Sequence, residues 1–90
     1  MNKARTVRRH ARRRFRERFG VALDQDLEVQ ITRAITGKGN HPRVGGATFV
    51  ERQSQRVTKW LIEITGTPIP IIYDEQRNQL VTALPASAAV

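Results

Sequence analysis

From Lys3 to Phe19 the chain has neither glycine nor proline, and Val7, Ala11, Phe15 and Phe19 recur every four residues. Apolar residues at that spacing share one side of a helix, so this segment needs a partner surface on which to lay its stripe. Its other positions are strongly cationic: Lys3, Arg5, Arg8, Arg9, Arg12, Arg13, Arg14, Arg16 and Arg18 stand against Glu17 alone. The first nineteen residues therefore carry +8, the net charge of the whole 90-residue chain, and the remainder sums to zero. Charge so localised points to a polyanionic partner rather than to a generally basic surface.

Past Gly20 the pattern predicts a second helix over about Gln25 to Thr36. Asp24 is placed to cap it, Asp26 sits in its first turn, and Gly37 is a suitable left-handed terminator. Its buried positions are expected to be Leu27, Ile31, Ala34 and Ile35. Lys38 to Arg43 has loop chemistry throughout, with His41 a turn residue and Gly45-Gly46 a bend. From there the apolar period falls from about 3.6 to 2 residues, the change from helix to sheet. Ala47–Arg52, Val57–Thr65, Ile69–Tyr73 and Gln79–Leu84 read as strands, with Trp60, Ile62 and Ile64 on one face. Pro70 should put the third strand at an edge or limit its pairing. The expected architecture is α+β: two N-terminal helices packed on a four-stranded antiparallel meander. A single domain is expected over residues 1–85, with 86–90 a flexible tail.

Several function classes are disfavoured. The chain has no cysteine, which removes disulfides and thiolate zinc sites and leaves only His10 and His41 as imidazole ligands. Neither a metal nor a cofactor is expected. No apolar run reaches the length of about 20 residues that spans a membrane, and none of signal-peptide length follows the basic N-terminus, so a cytoplasmic location with no membrane partner is expected.

His10, Arg14 and Arg18 fall at i, i+4 and i+8, one line along the first helix beside its apolar stripe. Helix geometry thus aligns a general acid or base with two phosphate-binding forks. The run His10-Ala11-x-x-Arg14-x-x-x-Arg18-x-Gly20, the second helix, the meander and the closing Ile71-Ile72-Tyr73-Asp74 … Leu80-Val81-Thr82-Ala83-Leu84 resemble the small ribonuclease-like domains of the barnase–colicin–RelE superfamily, over roughly residues 7 to 85. The resemblance implies metal-independent RNA cleavage by the helix histidine, the arginines and a threonine of the last strand, here His10, Arg14, Arg18 and Thr82. Lys59 or Tyr73 would supply a remaining proton or positive charge.

The leading expectation is accordingly an endoribonuclease of toxin or phage-encoded type, acting in the host cytoplasm if phage-encoded and restrained by a cognate inhibitor. The first helix is, however, more basic than a catalytic site requires. Arg5, Arg8, Arg9, Arg12, Arg13 and Arg16 spread charge around its polar circumference, as in arginine-rich RNA-binding helices. A non-catalytic RNA- or DNA-binding module, or a small regulator that docks on an acidic protein, is the alternative.

Overall fold

In the computed structural model, which describes residues 3–89 and the side chains of residues 7–88, local chemistry sets the helix ends. Gly20 takes a φ of 65° and donates its N–H to Arg16 O at 3.0 Å, which closes α1 (Lys3–Phe19). Asp24 accepts the Leu27 N–H at 2.7 Å to open α2 (Gln25–Thr36), and Gly37 in the left-handed conformation ends it. Four strands follow, β1 (Val44–Arg52), β2 (Val57–Ile64), β3 (Thr67–Asp74) and β4 (Gln79–Ala83), and then a 3-10 turn (Ala86–Ala89). The sheet is an antiparallel meander in the order β1-β2-β3-β4. Both helices precede it and lie on one face, with α1 resting mainly on β4 and α2 on β1. The α+β architecture expected from the sequence is the one observed.

The core lies between the two layers. Ala11 and Phe15 from α1 and Leu27 and Ile31 from α2 meet Val44, Ile62, Ile64, Ile69, Ile71, Tyr73, Leu80 and Ala83 from the sheet. Val7, Phe19, Ala34 and Ile35 are half-buried at its margins. Gln30 is also buried, which its polarity did not suggest. Its amide donates to Asp26 and its oxygen accepts the Arg43 N–H at 2.6 Å, so α2 is tied to the start of β1.

Several strand details depart from the sequence reading. Gly45-Gly46 is part of β1, not a bend before it: the register moves from Val44↔Ile64 to Gly46↔Glu63, so one extra residue is accommodated as a bulge. The β2–β3 turn is Thr65-Gly66, both at positive φ, one residue earlier than expected. Pro70 lies in an interior strand, opposite Leu61 of β2. Its carbonyl accepts the Leu84 N–H at 2.8 Å, but it has no N–H to return, and the β3–β4 ladder stops at Ile71↔Ala83. Pro70 thus limits pairing on one side only, and Leu84 falls outside β4. The segment after Pro85 turns back onto β3.

Asp74, buried at the end of β3, joins two turns. Its Oδ1 accepts the Gln76 and Arg77 N–H groups at 3.0 and 3.1 Å, and its Oδ2 accepts Arg56 Nη2 at 2.8 Å. Burial by itself raises the pKa of this carboxyl, but the backbone N–H of Arg77 and the Arg56 guanidinium outweigh it and hold the pKa below the ordinary 3.8. A carboxyl depressed by folding stabilises the native state above its unfolded pKa and loses that contribution as pH falls through the folded value. The stability advantage of the wild type over Asp74→Asn should therefore be constant from neutrality to about pH 5 and shrink below about pH 4. Urea melts at stepped pH check this; an advantage that persists undiminished at pH 2 would contradict it.

Candidate nucleic-acid interface

Three strips of side chains flank the buried stripe of α1, as 100° per residue requires. Arg8 and Arg12 lie on the flank towards α2, where they approach Glu28 Oε2 at 3.7 and 3.6 Å. Arg9, Arg13 and Arg16 form the crest opposite the core, all exposed. His10, Arg14 and Arg18 occupy the flank turned away from α2; His10 and Arg18 are exposed and Arg14 is half-buried. Arg5 belongs to the same helix, with its side chain outside the described residues.

Acids on this surface are outnumbered. Glu17 accepts from Arg13 Nε at 2.9 Å and from Arg14 Nη1 at 3.0 Å, and the Arg13 hydrogen bond with the two positive charges holds its carboxyl below the usual range. Glu17 and Glu28 are thus each shared between two guanidinium groups. The side chains of Arg9, His10, Arg16 and Arg18 have no hydrogen-bond or ion-pair partner among the described residues. Arg16 and Arg18 at least sit in the last turn, where the helix dipole favours cations, but the first turn holds Lys3 and Arg5 and no acid. The Glu17 pairs are exposed, and exposed ion pairs are worth about 0–1 kcal/mol, so phosphate can displace them at little cost. The crest and both flanks form one continuous cationic surface, on which Glu17 is solvated and Glu28 is largely sheltered between the helices.

The residues expected to catalyse do not form one cleft. Tyr73 is 1% exposed, on the helix-covered face of the sheet in register with Thr58 and Leu80. Burial raises its pKa, opposed by Thr32 of α2. Lys59 and Thr82 both pair with Ile72, and paired residues share a face, so they lie on the reverse side of the sheet. Thr82 faces there by ordinary alternation from the core residue Ala83, which pairs with Ile71; beyond it a β-bulge takes the register from Ile72↔Thr82 to Tyr73↔Leu80, leaving Val81 without an opposite number and returning Leu80 to the helix-covered face. Without the bulge, Leu80 and Thr82 would share a face, as residues two apart in a strand do. Thr82 instead turns from the helices, and its hydroxyl donates to Ala83 O at 3.4 Å. Tyr73 and the Lys59/Thr82 pair are therefore separated by the sheet and cannot act on a common phosphorus atom.

His41 serves the fold, since its Nδ1 lies 2.9 Å from Val44 O at the entry to β1. Among the described residues no three His, Asp or Glu side chains cluster as a metal-binding group, and no helix is long and apolar enough to cross a membrane. The sequence reading missed Glu28, which links the helices; an acid on the polar side of α2 has no signature that assigns its partner. No protein-family model matches the chain, and no curated protein or solved structure matches it at a significant level.

Proposed function

We propose that this domain binds nucleic acid, RNA before DNA, by gripping the phosphate backbone along the crest and flanks of α1. The observation that carries this reading is the excess of exposed guanidinium groups over carboxylates on one rigid helix: Arg9, Arg16 and Arg18 have no acid partner among the described residues, and four further arginines share two glutamates. Nine cations in nineteen residues repel one another, by a few tenths of a kcal/mol (about 0.2–0.5) for each like pair at helical spacing. A polyanion relieves that repulsion. Contacts of this type fix a backbone and carry little sequence information, so binding is expected to be salt-dependent and tolerant of sequence. The test is the slope of log affinity against log salt for a uniform oligoribonucleotide and its deoxy counterpart: a steep slope supports the proposal and a flat one removes it.

One observation favours keeping the ribonuclease reading beside it. His10, Arg14 and Arg18 stand together on the solvent-facing flank of the same helix, where a bound strand would reach them. In that reading the ribose 2′-oxygen attacks the adjacent phosphorus, a base takes the 2′-hydroxyl proton, and an acid protonates the departing 5′-oxygen. The products are a 2′,3′-cyclic phosphate and a 5′-hydroxyl end. Tyr73 is outside this site, and Lys59 and Thr82 face away from the helices. Total RNA incubated with the protein in excess chelator gives the decision by gel. Cleavage that is lost in His10→Ala supports turnover, and intact RNA under tight binding leaves the binding module alone.

A further inference from the structure

Tyr73 takes no part in the site above, yet its hydroxyl leads to a second set of residues. It donates to Asn78 Oδ1 at 3.4 Å, and Thr32 of α2 stands close enough to oppose the effect of burial on its pKa. Asn78 and Thr32 both line a cavity of about 310 Å³ between α2, the β3–β4 turn and the Arg8 end of α1. Ligand pockets run from about 300 to 1,000 Å³, so this one suits a single small unit.

Its walls divide by chemistry. Leu80 and Val29 offer apolar surface, and Val29 is left substantially exposed in a helix whose other large aliphatic residues face the core. Asn78, Thr32 and Gln25 offer amide and hydroxyl groups that both donate and accept. Arg8 and Arg33 supply positive charge, and Glu28, the acid in the lining, lies 3.7 Å from Arg8, beyond a close hydrogen bond. An apolar floor, neutral groups of both polarities and two guanidinium groups match a planar heterocycle bearing a phosphate. Arg8 belongs to the basic helix, so a strand on α1 passes the mouth of the cavity.

We infer that this pocket receives one nucleotide of a bound strand, its base against Leu80 and Val29 with its edge on Asn78, Thr32 and Gln25, and its phosphate on Arg8 and Arg33. The inference rests on the nucleic-acid reading of α1 and adds to it a point of base discrimination that phosphate contacts do not provide.

The experiment uses the full chain in amide NMR titrations with each of four nucleoside 5′-monophosphates and with inorganic phosphate. Oligonucleotide binding then follows for wild type, Val29→Trp, which fills the mouth, and Asn78→Gly. Glycine tolerates the φ of 50° at position 78, so that variant removes the amide without straining the turn. Saturable shifts at Leu80 and Asn78 are expected with nucleotides and not with phosphate. Asn78→Gly should weaken nucleotide binding about tenfold, the size of one lost sheltered hydrogen bond. It should also narrow the differences among homopolymer strands while the salt slope stays unchanged. Equal shifts with phosphate would reduce the pocket to an anion site and overturn the inference. So would free-nucleotide binding with strand affinity untouched by Val29→Trp. Failure of the α1 reading appears separately, as a flat salt slope in the wild type.

Discussion

Replacing Arg9, Arg13 and Arg16 together by glutamine should cut the salt slope of RNA binding by about two to three units, because each phosphate contact contributes roughly 0.7 to 0.9. Affinity near physiological salt should fall about tenfold to a hundredfold, a conservative figure for exposed charge contacts. All three side chains are exposed on the crest of α1 and none packs in the core, so the fold should survive. Glutamine and arginine have nearly equal helix propensity, which leaves charge as the variable. Stability is then expected to move the other way. Arg9 and Arg13 are one like-charged pair at i, i+4, Arg12 and Arg16 another, and removing such pairs relieves repulsion of about 0.2–0.5 kcal/mol each. Loss of Arg13 from Glu17 offsets part of that gain, and Arg14 remains bound to the carboxylate. A thermal melt unchanged or slightly raised, together with weaker binding, is the expected signature. Unaltered affinity at low and high salt would place the interface elsewhere.

Phe15→Ala should bring the largest loss of stability. Phe15 is 0% exposed and, with Ala11, is one of the two fully buried side chains through which α1 meets the core. Truncating a buried phenylalanine costs about 3–5 kcal/mol through lost transfer energy and the cavity left behind. A domain of this length has a total stability of only about 5–13 kcal/mol, so much of it would go. At roughly 4–8 °C per kcal/mol for such a domain, the melting temperature should drop by about 15–30 °C. Phe49 is the control: it is 50% exposed and contacts Trp60 edge-to-face with centroids 5.5 Å apart. Phe49→Ala should cost only about 1 kcal/mol. Circular dichroism melts compare the two, and similar midpoints would mean that α1 does not depend on its apolar stripe for docking.

The fold was legible wherever short-range chemistry decides. The Asp24 cap, the left-handed Gly20 and Gly37, and the four-residue apolar spacing each act within a few residues, and the helices span Lys3–Phe19 and Gln25–Thr36 as the pattern indicates. The strands are recognisable by their alternation, but their ends depend on pairing partners. Gly45-Gly46 reads as a bend because glycine weakens a strand in isolation, yet the ladder from β2 carries it through as a bulge. Pro70 is interior because its absent N–H falls where the β4 ladder ends, a matter of which neighbour stops first.

The candidate site divides in the same way. By itself the sequence determined that the net charge resides in one amphipathic helix and that His10, Arg14 and Arg18 share a line on it, since helix pitch alone sets those relations. Only the tertiary structure decided that Thr82 faces away from that helix, that Tyr73 is buried beneath a pocket, and that Glu28 draws Arg8 and Arg12 together. A single extra residue in β4 reverses the facing of Thr82 relative to Leu80, and the pocket joins residues from α1, α2 and β4. Such relations come from strand register and the packing of distant segments, which no local periodicity encodes.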